Sequence, residues 1–379
     1  MWPETNLNID REQGIMKKTL ILIALLSVGF QATVKAQDQD EQAIIANATT
    51  KFFVLSSQEK WLEAKPFVQQ AYELGVTIYA DSDPKFGQIA YHYGAVQVAL
   101  REASSLLPLT QAKNNFQQNL GNDSLQLIPV LGDLALAHIL SGNFEQAESH
   151  LERAIELASD EYGENSTMVA NLSSRAGREF SGAGNYTLAE ELQDQAYEIY
   201  QGVLGSTSPT TGQEAYQLSE TFRLKQNIYG QVTFLKKTVE SFDQPTKAET
   251  EFERDVHTKL VDAYQSLDKP KRATKHVLAL AASSEYKNKS EPTLLVKANA
   301  TYSSRGERTK LEGFVLLKFD VDSNGMVRNI DLLELEGDRK LVRLAIDALE
   351  GYRYIPIVRN NKAEGSKGLE TKIVFKWGA

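Results

Sequence analysis

Oxygen-bearing side chains recur in the stretch FDVDSNGMVRNID, residues 319–331, at the spacing of a calcium-binding EF-hand loop. The ligand positions hold Asp320, Asp322, Asn324 and Asp331, and Gly325 stands where such a loop turns sharply. An EF-hand also needs a helix on each side and usually a glutamate at the twelfth position, which Asp331 occupies here. Because the flanking residues alternate as strands do, we expect a β-turn in which Asn324 and Gly325 supply the backbone geometry and the aspartates face solvent. A calcium site is the alternative.

The other residues that could perform chemistry are scattered along the chain. The five histidines are His92, His138, His150, His257 and His276. None belongs to a His-x3-His pair or has an acidic partner at ligand spacing, so we expect surface or packing roles. Paired acids such as Asp160 and Glu161 fit solvated helix surfaces, and no glycine-rich phosphate loop or nucleophile elbow occurs. We therefore expect no enzyme activity, no cofactor and no metal.

The charge of the chain argues against binding to nucleic acid. The sequence has 379 residues with a formal charge of −9, which gives no general attraction to polyanions. Residues 37–290 carry 22 Lys and Arg against 34 Asp and Glu, whereas residues 291–379 carry 15 against 13. The sequence contains no cysteine, which excludes disulfides and thiolate metal sites within it. The chain therefore has two parts that differ in charge: an acidic part at residues 37–290 and a nearly neutral part at residues 291–379.

The N-terminal segment has the pattern of a secretory signal peptide. Lys17 and Lys18 precede the apolar run TLILIALLSVGF, and a small-x-small cleavage pattern ends at Ala36, so the mature chain would begin at Gln37. The run is shorter than the roughly 20 apolar residues of a transmembrane helix. We expect Met16 to be the true start and the protein to be exported to a bacterial periplasm. An uncleaved inner-membrane anchor is the alternative.

The middle of the chain repeats with a period of 42 residues. Four positions of one unit fall on four of the next: Gly142, Phe144, Ala147 and Ala154 correspond to Gly184, Tyr186, Ala189 and Ala196. Each unit has the pattern of two amphipathic helices, with small residues where the helices cross and an aromatic residue at the turn. The units resemble the tetratricopeptide repeat in its longer form, and we count about five of them. That resemblance implies a helical solenoid with a groove suited to a peptide or partner protein.

Beyond Leu311 the apolar period changes from that of helices to that of strands. Val315, Leu317, Phe319 and Val321 share one face of a first strand. A turn at SNG leads to a return strand whose broken alternation predicts a bulge. Asp338 is a candidate N-cap of the helix that follows, which Gly351 would end, and after a loop a final strand follows.

The final strand carries the candidate binding edge. Its residues alternate, with Thr371, Ile373, Phe375 and Trp377 on one side and Lys372, Val374 and Lys376 on the other. Two lysines on one strand discourage association between copies of an exposed edge. These elements predict a small α+β domain in which one helix covers one face of an antiparallel three-stranded sheet.

The segments EGFVLLKFDVDSNGMVRNI, YRYIP and KIVFK, in this order, resemble the C-terminal domain of the TonB family of energy transducers. That resemblance covers about residues 292–379. It implies periplasmic binding of outer-membrane transporters through a short peptide that adds as a strand beside the last strand. The chain departs from the family in three respects: Ser303 rather than proline follows Tyr302, no proline-rich spacer is present, and the apolar N-terminal segment has no histidine.

We expect three segments: an upstream extension with a signal peptide at 1–36, an all-α tetratricopeptide-like solenoid at 37–290 and a TonB-like α+β domain at 291–379. The leading hypothesis is a periplasmic adaptor in TonB-dependent transport whose partners are outer-membrane receptors. One alternative is an envelope scaffold or assembly protein that binds other periplasmic proteins without energised transport. The other is a membrane-anchored energy transducer, if the N-terminal segment is not cleaved.

Overall fold

The computed structural model describes residues 36–298 and 312–376. The chain forms two compact units, residues 1–203 and 204–379, and each is described by itself. The signal segment lies outside the described residues, apart from the backbone of Ala36 and Gln37 at the start of the first helix. Among the described residues, no helix combines the length and apolar composition needed to cross a membrane.

The first unit consists of helices that pack as antiparallel pairs. They are α1 (Ala36–Ser56), α2 (Trp61–Ile78), α3 (Pro84–Ala99), α4 (Leu106–Leu120), α5 (Leu127–Leu140), α6 (Phe144–Tyr162), α7 (Thr167–Gly182) and α8 (Tyr186–Leu204), with a 3-10 turn at Ala103–Ser105. Successive helices pair as α1 with α2, α3 with α4, and α5 with α6. In the fourth pair, α7 and α8 pack closely at Gly177: a Cβ atom added there would lie 2.7 Å from Gln193 Cγ of α8.

The second unit contains two further helix pairs and all the strands. Its helices are α9 (Pro209–Leu224), α10 (Ile228–Glu240), α11 (Glu251–Ser266), α12 (Pro270–Ala281) and α13 (Lys340–Glu350). Its strands are β1 (Thr293–Val296), β2 (Gly313–Val321), β3 (Val327–Glu336), β4 (Arg353–Ile355), β5 (Ile357–Arg359), β6 (Lys362–Glu364) and β7 (Ser366–Phe375). Helices α9 and α10 form one pair, and α11 and α12 form the other.

The described residues therefore form six helix pairs, where the sequence predicted about five repeats. The turn of each pair contains one residue in the left-handed backbone region, namely Glu59, Arg101, Gly142, Gly184, Gln226 and Asp268. Glycine adopts this conformation without steric cost, and the other residue types adopt it only rarely. Only two of the six positions carry the glycine that makes the repeat visible in the sequence. The count fell short because four turns have the repeat's backbone geometry without its signature residue.

The sheet is three-stranded and antiparallel, as predicted, and its strand order is β3-β2-β7. Val315, Leu317, Phe319 and Val321 of β2 are at most 2% exposed. They pack against Leu341, Ala345 and Leu349, which recur every fourth residue along one face of α13. The N-cap of that helix is Arg339, so the prediction of Asp338 was wrong by one residue; Asp338 Oδ1 still accepts a hydrogen bond at 2.8 Å from the backbone N–H of Lys340, the first helical residue.

Two short strand pairs lie outside the predicted sheet. β1 pairs with β4, and β5 pairs with β6. The turn of the second pair holds Asn360 and Asn361 with φ values of +51° and +60°, so the segment predicted as a loop contains a short hairpin with a two-residue turn. Leu295 of β1 packs on the core of α11 and α12, and Ile355 of β4 packs with Leu280 of α12. The boundary predicted between 290 and 291 falls between α12 and β1, inside the second unit.

Candidate functional site

Strand β7 forms one edge of the three-stranded sheet. From Leu369 to Phe375 it pairs without interruption with β2, in a register that places Phe375 opposite Gly313 and Leu369 opposite Phe319. Within the described residues no strand pairs with its other side. Seven consecutive residues in regular pairing leave one row of backbone N–H and C=O groups directed away from the sheet.

The side chains of β7 alternate as the sequence predicted. Phe375 is buried, and Ile373 packs against the sheet core. Lys372 and Lys376 are exposed, and Val374 is 54% exposed. The last predicted site residue, Trp377, lies outside the described residues. The strand therefore has an inner face that fixes it to the core and an outer face open to a ligand.

The outer face next to β7 carries apolar surface between charged side chains. Phe314 and Leu316 of β2 are half-buried there, opposite Val374 and Lys372 of β7. The ammonium group of Lys372 lies 3.4 Å from the centre of the Phe314 ring, a cation–π contact that keeps the lysine stem against the sheet. This surface offers apolar contact beside the free backbone edge.

The opposite edge, β3, is less regular. Its pairing with β2 shifts register twice, and Asn329 has a left-handed backbone with φ of +51°. This confirms the bulge that broken alternation predicted. Bulges interrupt the even spacing of edge hydrogen-bonding groups, so β3 is a poorer template for an added strand than β7.

The stretch that opened the sequence analysis is the hairpin turn between β2 and β3. Asp322 Oδ1 accepts hydrogen bonds at 2.9 Å from the backbone N–H groups of Asn324 and Met326, and Oδ2 accepts one from Arg328 at 3.1 Å. Between Asp322 and Met326, Gly325 is the one residue with a positive φ, +80°, and a Cβ atom there would lie 1.9 Å from the carbonyl oxygen of Tyr354. The prediction that Asn324 shares this geometry was wrong.

Asp320 hydrogen-bonds to the start of β7, a role that the sequence did not reveal. Its Oδ2 accepts a hydrogen bond at 2.8 Å from Asn329 Nδ2, and its Oδ1 accepts one at 2.9 Å from the backbone N–H of Gly368. These donors lower the pKa of the Asp320 carboxyl below its ordinary value. The aspartates therefore act as local acceptors and do not simply face solvent. No three His, Cys, Asp or Glu side chains among the described residues gather as a metal site would require.

A buried arginine fixes the sheet to the last helix pair. Arg353 of β4 is 1% exposed and donates from Nη2 to Thr274 Oγ1 of α12 at 2.7 Å. Burial lowers its pKa. Gln265 Nε2 of α11 donates to Gly351 O at 3.1 Å, and Tyr354 N–H donates to Gly325 O at 3.0 Å. The edge strand thus belongs to a structural unit that includes helices.

The repeat signature residues pack the helices together. Ala147, Ala154, Ala189 and Ala196 are fully buried. Gly142 and Gly184 occupy left-handed turns, Tyr186 is half-buried, and Phe144 packs against Phe180 with ring centres 5.9 Å apart. These residues explain the solenoid, and none of them contributes a polar side chain to a ligand surface.

Three of the histidines are buried, as their expected packing role requires. His92 packs against Phe52 and Phe53, with ring centres 5.3 Å and 5.0 Å away. His257 of α11 and His276 of α12 face each other with their Nδ1 atoms 2.9 Å apart. One of these two nitrogens must donate and the other accept, which requires opposite tautomers. Burial lowers the pKa of both imidazoles.

Comparison with protein families identifies both parts of the chain. Residues 126–202 match the model of the tetratricopeptide repeat, and residues 298–377 match the model of the Gram-negative bacterial TonB protein C-terminal domain. The chain joins tetratricopeptide repeats to a TonB C-terminal domain. Both are non-catalytic domains through which proteins bind one another, so this TonB-domain protein has a role in protein interaction.

Solved structures similar to the TonB-domain protein share little sequence with it. BtubC (BKLC) from P. vanneervenii is 13% identical, covers 62% of this chain and 88% of its own length, and has a TM-score of 0.43. Pseudomonas aeruginosa pilF is 11% identical, covers 64% of this chain and 91% of its own length, and has a TM-score of 0.39. A Rap protein complexed with Competence and Sporulation Factor is 13% identical, and the match covers 62% of this chain and 72% of the Rap chain, with a TM-score of 0.41. Comparison with curated proteins gives no match.

Proposed function

We propose that this protein is a periplasmic adaptor of the TonB family that captures an extended peptide of a partner along β7. One observation carries the proposal: β7 offers seven regularly paired residues whose outward edge is unpaired within the described residues. A peptide that adds there gains main-chain hydrogen bonds for affinity. Alternate side chains of the peptide would lie beside Val374 and Phe314, and these contacts would supply selectivity.

The charges of the edge support capture of a partner rather than association between copies. Lys372 and Lys376 are exposed on β7, and two copies paired through this edge would bring like charges together. A peptide with acidic or neutral side chains meets no such repulsion. The regular pairing of β7, compared with the two register shifts in β3, supports the choice of this edge.

The identity of the partner class comes from the TonB family. The family resemblance points to TonB-dependent outer-membrane receptors, and the signal-like segment before Gln37 supports a periplasmic location. In this proposal the helical repeats hold a second protein while the sheet edge binds the receptor.

A capture experiment from envelope extracts tests the proposal. The full chain serves as bait because β1, β4 and Arg353 join the sheet to α11 and α12, so a fragment starting at 292 would lose part of its packing. We expect mass spectrometry to find TonB-dependent receptors enriched on the wild-type chain and lost from a variant with a disrupted β7 edge. Receptors retained equally on both baits would refute capture at β7.

A second candidate is an envelope scaffold without energised transport. The observation that favours it is the anchoring of the sheet to a helix pair through Arg353 and Thr274, which differs from a domain carried on a proline-rich spacer. In the same experiment, enrichment of other envelope proteins in place of the receptors would support the scaffold.

A further inference from the structure

The first unit contains a cavity on its helical repeats that differs in charge from its surroundings. Helices α3, α5 and α7, the first helices of three successive pairs, pack side by side. They line a half-open cavity of about 220 Å³. Its apolar wall includes Val98, Leu136 and Leu140, and its rim carries Arg101, Arg175 and Arg178.

Arg175 is held in place by an ion pair with a buried carboxylate. Its Nη2 lies 2.7 Å from Oδ1 of Asp133, a buried carboxylate of α5 that also hydrogen-bonds to Tyr91. The side chain of Arg175 is 40% exposed. A guanidinium has five N–H donors in a planar fork, so donors remain for a ligand after the contact with Asp133. The buried carboxylate therefore fixes a binding group in position.

Arg178 is one turn further along α7 and has no carboxylate partner among the described residues. Its Nη1 donates to Ser174 Oγ at 3.0 Å, and its side chain is exposed. This contact holds the arginine beside the cavity without neutralising its charge.

Arg101 completes the rim from the turn after α3. Its Nη1 lies 2.7 Å from the carboxylate of Glu179 on α7, which joins two repeats across 78 residues of sequence. Three guanidinium groups thus face two carboxylates, Asp133 and Glu179. Residues 37–290 have the opposite balance, with 22 basic and 34 acidic side chains. The cavity is a local excess of positive charge on an acidic solenoid.

We propose that this cavity binds an acidic peptide segment of a partner protein, with an apolar side chain in the cavity and a neighbouring carboxylate on the arginine rim. Arg175 and Arg178 supply charge-assisted hydrogen bonds, which are shorter and stronger than neutral ones. The walls of α3 and α5 contact the apolar side chain. This inference rests on the proposed role of the repeats in holding a protein and is independent of capture at β7.

Arg101 offers a variant that separates binding from folding. Its φ of +58° is unfavourable for arginine and acceptable for glycine, which the equivalent turns carry at positions 142 and 184. Arg101→Gly therefore removes a rim charge without a backbone penalty. Gln226→Gly is the matched control, because Gln226 has the same φ of +58° in the turn between α9 and α10 and does not line the cavity.

The test selects peptides from a displayed random heptapeptide library on the full-length wild-type chain, the Arg101→Gly/Arg178→Ala variant and the Gln226→Gly control. We expect the wild type and the control to enrich sequences with Asp or Glu beside an apolar residue. The selected peptide should bind the double variant about tenfold more weakly by fluorescence anisotropy, because charge-assisted contacts are lost. Thermal melting verifies that all three chains are folded.

Two results would overturn the inference: selected peptides without acidic enrichment, or acidic peptides that bind the double variant as tightly as the wild type. A library that yields no binder above background would overturn it as well. Variants of the β7 edge are run in parallel and should leave peptide binding at the cavity unchanged. If the peptide experiment fails while β7 still captures receptors, only the proposed peptide site in the cavity is refuted, and the proposed function stands.

Discussion

The guanidinium of Arg353 donates to the hydroxyl of Thr274 across 2.7 Å, which joins strand β4 to helix α12. Arg353 is among the largest fully buried side chains of the described residues. A buried cationic group needs hydrogen-bond acceptors to offset lost hydration, and the threonine hydroxyl provides one. This contact makes the TonB domain and the last helix pair interdependent.

Replacing Thr274 should destabilise the second unit. We expect Thr274→Val to lower the free energy of unfolding by about 2 kcal/mol, since it removes an acceptor from a buried charged donor while keeping the side-chain shape. Urea denaturation of the full chain measures the loss. The matched control is Thr258→Val, whose hydroxyl hydrogen-bonds only to the carbonyl of Arg254, in the preceding turn of α11. Equal midpoints for the two variants would contradict the anchoring role of Arg353.

Proline substitutions on β7 test strand addition. Amide groups of neighbouring residues on a strand point to opposite sides, so one of Ile373→Pro and Val374→Pro removes an outward donor and the other breaks pairing with β2. We expect the variant that retains its melting temperature to lose receptor capture.

The control for this pair is Val374→Thr, which changes the exposed side chain and keeps the backbone donor. It should retain most of the capture. Full capture by the well-folded proline variant would place partner binding elsewhere on the protein.

Acid should weaken the second unit through its histidine pair. Burial lowers the pKa of both imidazoles from 6.5, that of His257 to about 4, and Lys275 adds to the shift. The unfolded chain then binds protons that the folded chain does not, so the free energy of unfolding falls as pH drops from about 7 to about 4. Each imidazole contributes up to about 1.4 kcal/mol per pH unit in this range.

Chemical denaturation at several pH values measures this slope. Lys236 also lowers the pKa of His276, so the charges that disfavour protonation come from both α10 and α12. A His257→Asn/His276→Asn variant retains side chains that can hydrogen-bond to each other and should lose the histidine part of the pH dependence. An unchanged slope in that variant would assign the acid sensitivity to carboxylates.

Removing the Asp320 carboxylate should loosen the start of β7. In the Asp320→Ala variant, Gly368 N–H and Asn329 Nδ2 both lose their acceptor, so we expect faster hydrogen exchange at Gly368 and a lower melting temperature. Because the folded pKa of Asp320 is lowered, its contribution exists at neutral pH and disappears as pH falls through that pKa. Asp331→Ala, on the exposed side of β3, is the control and should leave exchange at Gly368 unchanged.

The sequence predicted those parts of the fold in which local pattern and tertiary structure agree. Alternation placed Val315 and Leu317 inside, and i, i+4 spacing placed Leu341 and Ala345 against them. The two repeats with glycine at the left-handed turn were visible. The remaining turns use residues such as Gln226, whose conformation follows from packing of the helices and has no sequence signal.

The candidate site could be predicted only along β7. The sequence did not single out Arg353, because its burial depends on Thr274, which lies 79 residues earlier in the chain. β1 has only four residues and pairs with a strand about 60 positions later, so no periodicity reveals it. The arginine rim of the cavity is assembled from separate repeats, each of which alone resembles an ordinary solvated helix.

The pairing of β7 with β2 has a mechanical consequence. A partner strand aligned with β7 and pulled along its axis would load the ladder in shear, so the inter-strand hydrogen bonds share the tension instead of opening one after another. The load would continue from the sheet through β4 and the Arg353 contact into α12.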